Sequence, residues 1–301
     1  MARSLTIAGR VIDDDAPTYV IAELGNNHGG DVQVARMMIR IAAAAGADAC
    51  KLQKRDNERL YTTALRDAPY ANEHSYGPTY GAHRAALELG GDAYRALQIE
   101  AARQPVTLFA TAFDEASAAF IAEIGMPAIK IHSGGLTDAR LLKFVATYQR
   151  PVIVSTGGGT LDDIDRAHDL LGDCPHAFLH CTASYPLLPE QANLRVISTL
   201  RARYPDTVIG FSSHAPGIAL SLVAYAFGAR ILEHHVTLNR AGKGTDHGFS
   251  LEPKGLSTLV DDLAKARAAM GDGVKRFLEV ERAPIAKMRR RETEEGWKIG
   301  G

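Results

Sequence analysis

Short apolar segments rich in β-branched residues alternate with longer amphipathic segments along most of the chain. The apolar segments predict eight β-strands: YVIAEL (19–24), DACKLQ (48–53), VTLFAT (106–111), AIKIHS (128–133), PVIVST (151–156), AFLHCT (177–182), TVIGFS (207–212) and RILEHHV (230–236). In the amphipathic segments apolar residues recur at three- and four-residue steps, the spacing of one helix face. They predict eight α-helices, at residues 34–46, 93–103, 115–125, 138–148, 162–172, 194–204, 217–228 and 255–271.

This alternation of strand and helix indicates a parallel sheet, because parallel neighbours need a crossover connection between them. Eight such units within residues 19–271 predict an α/β protein of the closed (β/α)8 class, the TIM barrel. The alternative is an open doubly wound sheet, which typically carries a GxGxxG turn after its first strand, whereas residues 26–31 read NNHGGD. We therefore predict one barrel over residues 1–285 and a short C-terminal tail at 286–301.

A long connection, residues 54–91, separates the second predicted strand from its helix. Connections of this length inside a compact domain are uncommon and are often functional. This one contains Tyr76, Tyr80, His83 and Arg84. We predict that it is an insertion that partly covers the mouth of the barrel, and the alternative is a segment that contacts another protein.

Composition and charge narrow the class of protein. Apolar residues make up 46% and charged residues 23% of the chain, and the formal net charge is −1, all ordinary for a globular protein. No basic patch indicates nucleic-acid binding and no apolar run has the length of a membrane span, so neither nucleic acid nor membrane is expected as a partner. Three cysteines without a CxxC pair are typical of reduced thiols and predict a cytoplasmic location.

Polar side chains cluster at the C-terminal ends of the predicted strands, where barrels of this class place their catalytic groups. Because side chains alternate across a strand, Lys51 and Gln53 share a face, and so do Ser212 and His214. Charged groups are costly to bury unless they are paired or used, so the cluster predicts an active site at this end of the barrel. Its members are Glu23, Lys51, Gln53, Thr111, Lys130, Ser133, Ser155, Ser212, His214, Glu233 and His235.

Two lysines, Lys51 and Lys130, are each embedded in an apolar strand. Two ammonium groups that face one barrel mouth repel each other unless an anion lies between them. The segment STGGGT (155–160) follows the fifth strand, and its backbone N–H groups offer a cradle for a phosphate at a helix N-terminus. Together these features predict a phosphorylated or otherwise strongly anionic substrate.

The histidines raise the question of a metal. His214 and His235 lie at the ends of consecutive predicted strands, so their side chains can approach each other. Two neutral imidazoles, with carboxylate and water oxygens, suit a divalent transition ion such as Mn²⁺. His234 is next to His235 and is predicted to point to the opposite side, toward the helices, and His176 and His180 are interpreted as hydrogen-bonded core residues.

An ordered set of segments covers nearly the whole chain and forms a recognisable pattern. They are IAELGNNHGG (21–30), CKLQ (50–53), LFATAFD (108–114), AIKIHSGG (128–135), VIVSTGGGT (152–160), FLHCTASYP (178–186), IGFSSHAPG (209–217) and LEHHVTLNRAGKGTDHGFSLEP (232–253). In this set the chain resembles the sialic acid synthase family, which comprises N-acetylneuraminate synthase and its legionaminate, pseudaminate and spore-coat-polysaccharide relatives.

The resemblance implies a metal-dependent condensation of phosphoenolpyruvate with an N-acetylated amino sugar such as N-acetylmannosamine, with release of phosphate. It implies that phosphoenolpyruvate is bound by Lys51, Thr111, Lys130, Ser133, Ser155 and Ser212, that a divalent metal, usually manganese, is held by His214 and His235, and that the sugar contacts Gln53, Tyr185, Glu233 and Asp246. Glu23, Lys51, Lys130 and Glu233 are the candidate catalytic residues. A homodimer is a further expectation, since relatives of this fold are often dimers.

The sequence departs from the family pattern on the side of the sugar. Gly135 stands where the family commonly has Glu, and Ala183 stands where Asn is common. The sequence ends at ETEEGWKIGG, so we expect no antifreeze-like C-terminal domain, the part that brings an arginine to the partner subunit's site in the family. These departures predict an intact phosphoenolpyruvate and metal half with an acceptor that can differ from N-acetylmannosamine.

Three other functions remain open on the sequence. A related phosphoenolpyruvate-dependent aldol synthase acts on a phosphorylated aldose and needs a second cationic site, and the sequence shows no obvious one beyond Arg55, Arg59 and Arg84. A catalytically silent barrel subunit has no reason to retain so many buried charges. A metal-dependent hydrolase barrel normally has an HxH pair on its first strand, and residues 19–24 contain none.

Overall fold

The computed structural model describes residues 3–299. A hairpin of β1 (Ser4–Ile7) and β2 (Arg10–Asp13) precedes eight parallel strands that close into a barrel. The barrel strands are β3 (Tyr19–Glu23), β4 (Ala49–Lys54), β5 (Thr107–Ala112), β6 (Ile129–Ile131), β7 (Val152–Ser155), β8 (His176–His180), β9 (Val208–Ser213) and β10 (Ile231–His235). Each pairs with the next, and β10 pairs with β3. The prediction of a (β/α)8 barrel is confirmed, and each barrel strand overlaps its predicted segment.

Helices surround this barrel and fill the connections between its strands. They are α1 (Val32–Ala44), α2 (Asn57–Leu60), α3 (Thr63–Asp67), α4 (Tyr80–Leu87), α5 (Gly91–Ala102), α6 (Glu115–Glu123), α7 (Ala139–Ala146), α8 (Leu161–Leu171), α9 (Val196–Arg203), α10 (Ala219–Ala226) and α11 (Pro253–Met270). A further helix, α12 (Arg282–Met288), follows α11 in the sequence. Because helices cover the outside of the barrel, β3, β9 and β10 are buried along their whole length.

Side chains at the helix ends show why these segments begin and stop where they do. Asp114 accepts a hydrogen bond from the Ser117 backbone N–H at 2.7 Å and so caps the first turn of α6. Thr160 and Asp163 form a reciprocal capping box at the start of α8. Gly125 and Gly228 follow α6 and α10 with positive φ angles of 77° and 98°, a conformation that favours glycine and ends a helix.

The register of the barrel strands places polar residues side by side at their C-terminal ends. Glu23 is the register partner of Lys51 on β4 and of His235 on β10. Thr111 on β5 is the register partner of Gln53 and of Lys130 in the same way. Parallel strands with matched ends therefore bring side chains from distant parts of the chain into one ring.

The hairpin of β1 and β2 closes the opposite end of the barrel, and the sequence pattern did not predict it. Its inward side chains Leu5, Ile7 and Ile12 are buried. Arg3 Nε donates a hydrogen bond of 2.7 Å to the carbonyl of Thr207, the residue before β9. Asp14 accepts a hydrogen bond of 2.8 Å from Arg201 on α9. The hairpin thus covers apolar residues at the N-terminal ends of the strands, the end away from the polar ring.

The 54–91 insertion is folded into the short helices α2, α3 and α4 rather than being an irregular loop. Aromatic rings hold these helices together: Tyr80 lies 5.2 Å from Tyr61 and 5.6 Å from Tyr70 between ring centroids, and Tyr70 lies 4.5 Å from His83. The Tyr76 hydroxyl donates a hydrogen bond of 2.6 Å to the carbonyl of Lys243, in the loop after β10. The insertion is therefore attached to the loop that follows β10, and its partial cover of the barrel mouth stays a prediction.

Contacts divide the chain into two units with the boundary between Lys265 and Ala266. The second unit contains α12 and a hairpin of β11 (Arg290–Thr293) and β12 (Gly296–Ile299). The predicted barrel boundary at residue 285 falls inside α12, and the last two residues of the predicted tail lie outside the described residues. None of the helices within residues 3–299 combines the length and the apolar character that crossing a bilayer requires.

Candidate active site

A cavity of about 520 Å³ opens at the C-terminal ends of the barrel strands. All thirteen candidate site residues from the sequence analysis line it: Glu23, Lys51, Gln53, Thr111, Lys130, Ser133, Ser155, Tyr185, Ser212, His214, Glu233, His235 and Asp246. These residues come from all eight barrel strands or the loops that follow them, so the closed barrel is what brings them together. The structure places the residues in one site, while the roles assigned to them stay predictions.

The floor of the cavity is a network of two lysines and two glutamates. The Lys51 ammonium lies 2.6 Å from Glu23 Oε2 and donates a hydrogen bond of 2.7 Å to the Thr111 hydroxyl. The Lys130 ammonium donates to the Ser155 hydroxyl at 2.6 Å. Both lysines are almost fully buried, with 3% and 2% of the residue exposed, so they face the barrel interior rather than solvent.

Glu233 lies between the two lysines, 3.7 Å from Lys51 Nζ and 3.8 Å from Lys130 Nζ. Burial raises the pKa of Glu233, but the two ammonium groups outweigh burial and hold it well below its ordinary value. The anion that the sequence analysis expected between the lysines is therefore in part a side chain of the protein. Glu233 was predicted to serve both catalysis and sugar binding. Both of its ion pairs are with the lysines at the floor of the cavity.

The STGGGT segment contributes less to an anion site than its glycines predicted. The Gly157 N–H donates to the Ser133 hydroxyl at 3.1 Å, and the Gly159 N–H donates to the Thr156 carbonyl at 3.2 Å. Two backbone donors of the predicted phosphate cradle are thus occupied by other protein groups, one of them outside the loop. The Ser155 hydroxyl, held by Lys130, is the group of this segment that lines the cavity.

His214 and His235 face each other across the cavity wall, with ring centroids 5.6 Å apart. The Nδ1 atom of His214 lies 3.0 Å from the Thr182 carbonyl, so Nδ1 carries the proton and Nε2 keeps its lone pair. Burial, together with the neighbouring His235, lowers the pKa of His214 to about 4. A neutral imidazole with a lone pair directed away from its carbonyl partner is the form that binds metal ions.

The residues present fit a divalent metal as an open site with two protein ligands. The Nδ1 atom of His235 is buried without a hydrogen-bond partner among the described residues and lies 3.6 Å from Asp246 Oδ2. Gly25 lies close to this imidazole, since a Cβ atom there would stand 3.2 Å from His235 Nδ1. Within residues 3–299 no group of three His, Cys, Asp or Glu side chains gathers as a complete metal site. An ion held by these two imidazoles would need its other ligands from outside such a cluster.

His234, His180 and His176 form hydrogen bonds with other protein groups, as the sequence analysis predicted. The Nε2 atom of His234 lies 2.6 Å from the Ser221 hydroxyl on α10, so this side chain points away from the cavity. His180 hydrogen-bonds the Ala192 carbonyl at 2.8 Å, and His176 hydrogen-bonds the Cys174 carbonyl at 2.7 Å. His247, for which the sequence analysis found no role, hydrogen-bonds the Thr237 hydroxyl at 2.7 Å and stabilises the loop after β10.

The upper wall of the cavity carries the residues assigned to the sugar. The Gln53 amide donates a hydrogen bond of 2.7 Å to Glu23 Oε1, and the Tyr185 ring lies 4.1 Å from the His214 ring. Ala183 also lines the cavity, so an asparagine amide is missing from this wall. A side chain at Gly135 would meet the Ile131 side chain at 2.7 Å, so the local packing leaves no space for a glutamate there.

Several lining residues were not assigned a role from the sequence. Phe113 and His132 follow β5 and β6, and their rings stack with centroids 4.1 Å apart. The Arg55 guanidinium lies 3.8 Å from the Phe113 ring centroid on the other side. Arg84 reaches the cavity from α4. Phe113 and His132 could have been found from their place directly after predicted strands, whereas Arg84 depends on how the insertion folds.

Comparison with known proteins identifies the family. Residues 38–275 match the model of the NeuB family. The chain belongs to the NeuB family. It is 39% identical over 277 residues to N-acetylneuraminate-9-phosphate synthase of Mus musculus, covering 91% of this chain and 77% of that protein. It is 35% identical over 280 residues to N,N'-diacetyllegionaminic acid synthase of Campylobacter jejuni, covering 89% of this chain and 82% of that protein.

The fold of this NeuB-family chain is similar to a solved structure with a related name. That structure is the N-acetylneuraminic acid (sialic acid) synthetase of Leptospira borgpetersenii in complex with citrate. The two chains superpose with a TM-score of 0.83 at 32% sequence identity, over 95% of this chain and 96% of the other. The resemblance to the sialic acid synthase family stated from the sequence is thereby confirmed.

Proposed function

We propose that this protein condenses phosphoenolpyruvate with an N-acetylated amino sugar to give a nonulosonic acid and inorganic phosphate. The observation that carries the proposal is that one NeuB-family barrel cavity is lined both by a buried lysine pair and by two histidines whose ring centroids lie 5.6 Å apart. The lysines suit a small molecule with several negative charges, and the histidines suit a carbonyl acceptor activated by a metal. The names of the relatives, synthases of acidic amino sugars, support the same reaction.

Phosphoenolpyruvate would bind at the floor of the cavity. Its carboxylate and phosphate oxygens are acceptors for the ammonium groups of Lys51 and Lys130, which Thr111 and Ser155 hold in place. Burial lowers the pKa of Lys130, and the adjacent Glu233 counteracts this by favouring the charged form. Glu233 thus keeps the empty site neutral overall and keeps the lysines ready for an anionic substrate. The Ser133 and Ser212 hydroxyls would complete the donors.

The reaction forms one carbon–carbon bond and breaks one carbon–oxygen bond. C3 of phosphoenolpyruvate attacks the aldehyde carbon of the open-chain sugar, and the lysines hold the reacting ends in place. Water adds to C2 and forms a new C2–O bond, and the C2–O bond to the phosphate then breaks with the electron pair leaving on phosphate. Of the two protons of the water, one goes to the alkoxide oxygen that the aldehyde has become and the other to the departing phosphate. Glu23, which touches Lys51 and accepts a hydrogen bond from Gln53, is placed to take the proton from that water.

We also propose that His214 and His235 hold a divalent metal, with Mn²⁺ as the expected ion. When bound, such an ion supplies Lewis-acid polarisation of the aldehyde oxygen. Thr182 fixes the tautomer of His214, and Gly25 allows the β3 loop to approach His235. Gln53, Tyr185, Glu233 and Asp246 would contact the hydroxyl groups of the sugar. The departure at Ala183 and Gly135 leaves the acetamido group with fewer side-chain partners on that wall.

Two finer expectations belong to this proposal. Three buried free cysteines support a cytoplasmic location, where thiols stay reduced. A homodimer is expected from the family resemblance, and light scattering coupled to size-exclusion chromatography measures it directly.

The decisive test is acceptor-dependent consumption of phosphoenolpyruvate. The purified protein is incubated with phosphoenolpyruvate, Mn²⁺ and a panel of aldoses and N-acetylated amino sugars, with and without a chelator. We expect phosphate release and a nine-carbon acid, detected by mass spectrometry, with an amino sugar and metal present. No acceptor-dependent release with any sugar contradicts the proposal and favours a silent barrel subunit. Release with aldoses alone favours a related aldol synthase.

A further inference from the structure

The thiol of Cys181 lies directly behind one of the side chains assigned to phosphoenolpyruvate. Cys181 follows β8, is 4% exposed, and places its Sγ atom 3.0 Å from Ser133 Oγ. Ser133 lines the cavity, whereas Cys181 is not among the residues that line it. The thiol can therefore influence a substrate in the cavity only through the residue in front of it.

The glycine at position 157 is what allows this contact. Gly157 follows β7, and a Cβ atom there would stand 2.7 Å from Ser133 Oγ and 2.8 Å from Cys181 Sγ. A larger residue would therefore collide with both side chains. The segments after three consecutive strands, β6, β7 and β8, thus meet in one small cluster of Ser133, Gly157 and Cys181. This contact gives the first glycine of the STGGGT segment a role other than a phosphate cradle.

The hydrogen bonds of the Ser133 hydroxyl leave a defined place for the thiol. A serine hydroxyl has one proton to donate and two lone pairs with which to accept. The Gly157 N–H donates to one lone pair at 3.1 Å, and in the contact with Cys181 either atom can be the donor. When an anionic oxygen in the cavity accepts the Ser133 proton, the bond is strengthened by the charge of that oxygen. The second lone pair of Ser133 Oγ then faces the thiol.

The thiol has a proton to donate to that lone pair. Burial raises the pKa of Cys181, and the Ser133 hydroxyl, Lys130 and the Gly157 N–H oppose this only in part. The sulfur is therefore protonated at neutral pH, and a thiol S–H is a hydrogen-bond donor, although a weak one. With both lone pairs occupied by protein donors, the hydroxyl keeps its own proton for the cavity.

We infer that Cys181 is a positioning residue, whose S–H donates to Ser133 Oγ and so directs the Ser133 proton toward phosphoenolpyruvate. The inference rests on the proposed function, because it concerns a substrate of that reaction. The alternative is a buried cysteine that only fills space as a small apolar side chain. The two roles differ in whether a hydrogen-bond donor at position 181 matters for the substrate.

The test measures the Kd of phosphoenolpyruvate by calorimetry without acceptor, together with the KM and kcat of turnover. Cys181→Ala removes the donor and should raise the Kd and the KM for phosphoenolpyruvate by about 3- to 10-fold, the net effect of one hydrogen bond, with kcat little changed. Cys181→Ser keeps a donor and should stay close to the parent protein.

Cys174→Ala is the matched control. This thiol lies at the other end of β8, is 1% exposed, and donates a hydrogen bond of 3.3 Å to the Arg150 carbonyl. Cys174→Ala therefore removes an equally buried S–H donor far along the same strand from Ser133. The Kd of phosphoenolpyruvate should be unchanged in this variant.

A double variant shows whether Cys181 acts through Ser133. In Ser133→Ala the hydroxyl is gone, so Cys181→Ala added to it should weaken the binding of phosphoenolpyruvate no further. A further loss in the double variant overturns the inference, because the thiol then acts on another group. An unchanged Kd in Cys181→Ala overturns it as well, and so does an equal loss in Cys181→Ala and Cys181→Ser, which is the result for a side chain that only fills space.

Failure of a variant to fold and failure of the proposed function give separate results. Should Cys181→Ala not fold, Cys181→Val and Cys181→Thr are nearly equal in shape and differ in one hydroxyl donor. Tighter binding of phosphoenolpyruvate by Cys181→Thr is then expected, and equal binding overturns the inference. Binding without acceptor-dependent turnover contradicts the proposed function alone, because the Kd values still measure the role of Cys181. No binding by the parent protein contradicts both.

Discussion

Buried charge at the floor of the cavity is the feature of single residues that most constrains this protein. Lys51, Lys130, Glu23 and Glu233 carry two positive and two negative charges within hydrogen-bond or ion-pair distance. A buried ion pair contributes little net stability, but loss of one partner leaves an uncompensated charge in a medium of low dielectric constant. We therefore expect that the cluster serves substrate binding, and that the stability of the protein depends on equal numbers of positive and negative charges within it.

Replacement of Lys130 by Met tests how far stability depends on equal numbers of positive and negative charges in the cluster. We expect the free energy of unfolding at pH 7 to fall by about 3 kcal/mol, because Glu233 loses one of its two ammonium partners. Glu233→Gln in the same chain should restore part of this loss, so that the double variant is less destabilised than the sum of the single ones. Urea unfolding measures all three, and Lys265→Met, an exposed lysine with 76% of its side chain accessible, serves as the control. Strict additivity of the two single losses contradicts the prediction.

The buried side chain of His28 leads to a prediction about how the stability of the protein depends on pH. Burial lowers its pKa to about 4, despite a hydrogen bond to the Gly25 backbone, and nearby Arg55 lowers it further while Asp31 opposes this. The unfolded chain protonates this histidine near pH 6.5, so between pH 6.5 and 4 the unfolded state binds more protons. Stability is retained above pH 6.5 and should fall as the pH drops toward 4, by up to about 3 kcal/mol for this residue.

Urea unfolding at a series of pH values tests this dependence. In His28→Gln the decrease in unfolding free energy between pH 6.5 and 4 should be smaller than in the parent protein, because the titrating group is gone. An identical slope in the two proteins contradicts the role of His28.

At the scale of elements, the sequence predicts structure well where polar and apolar residues repeat regularly and poorly where they do not. Alternation within β4 and β10 was enough to place Lys51, Gln53, Glu233 and His235 on one face, and to send His234 to α10. The side of the barrel that Arg84 reaches could not be predicted, because it depends on how three short helices of the insertion pack around Tyr80. The hairpin of β1 and β2 was missed because its strands pair with each other antiparallel and no helix follows either one, so they lie outside the alternation of strand and helix.

That hairpin allows stability and catalysis to be separated within one molecule. Ile12→Ala should lower the free energy of unfolding by about 2–4 kcal/mol, since the side chain is 1% exposed and covers the N-terminal end of the barrel. Val11 is the adjacent residue on the opposite face and is 45% exposed, so Val11→Ala is the matched control with little expected loss. The KM for phosphoenolpyruvate should be unchanged in both variants, because the cavity lies at the other end of the strands. A changed KM in a folded Ile12→Ala variant would show that the two ends are coupled.

At the scale of the whole molecule, the barrel brings together a group of anion-binding side chains and a pair of histidines, which come from different strands. Strands β4, β5, β6 and β7 supply the lysines and hydroxyls that suit phosphoenolpyruvate, and β9 and β10 supply the histidines that suit a metal. The insertion adds a charged wall above both. The closed order of the strands brings these parts to one cavity, so each half can be removed by substitution while the other is retained.

Removal of the metal half should leave the phosphoenolpyruvate half measurable. In His214→Ala/His235→Ala we expect Mn²⁺ binding, followed by the electron paramagnetic resonance signal of the free ion, to be lost, because both imidazole ligands are gone. Binding of phosphoenolpyruvate by calorimetry should persist, since Lys51 and Lys130 are retained. His168→Gln removes an imidazole that hydrogen-bonds His176 instead of lining the cavity, and Mn²⁺ binding should be unchanged. Turnover in the parent protein should stop with a chelator and return when Mn²⁺ is added. Mn²⁺ binding by the double variant at the strength of the parent would place the metal elsewhere and remove these two histidines from the proposed mechanism.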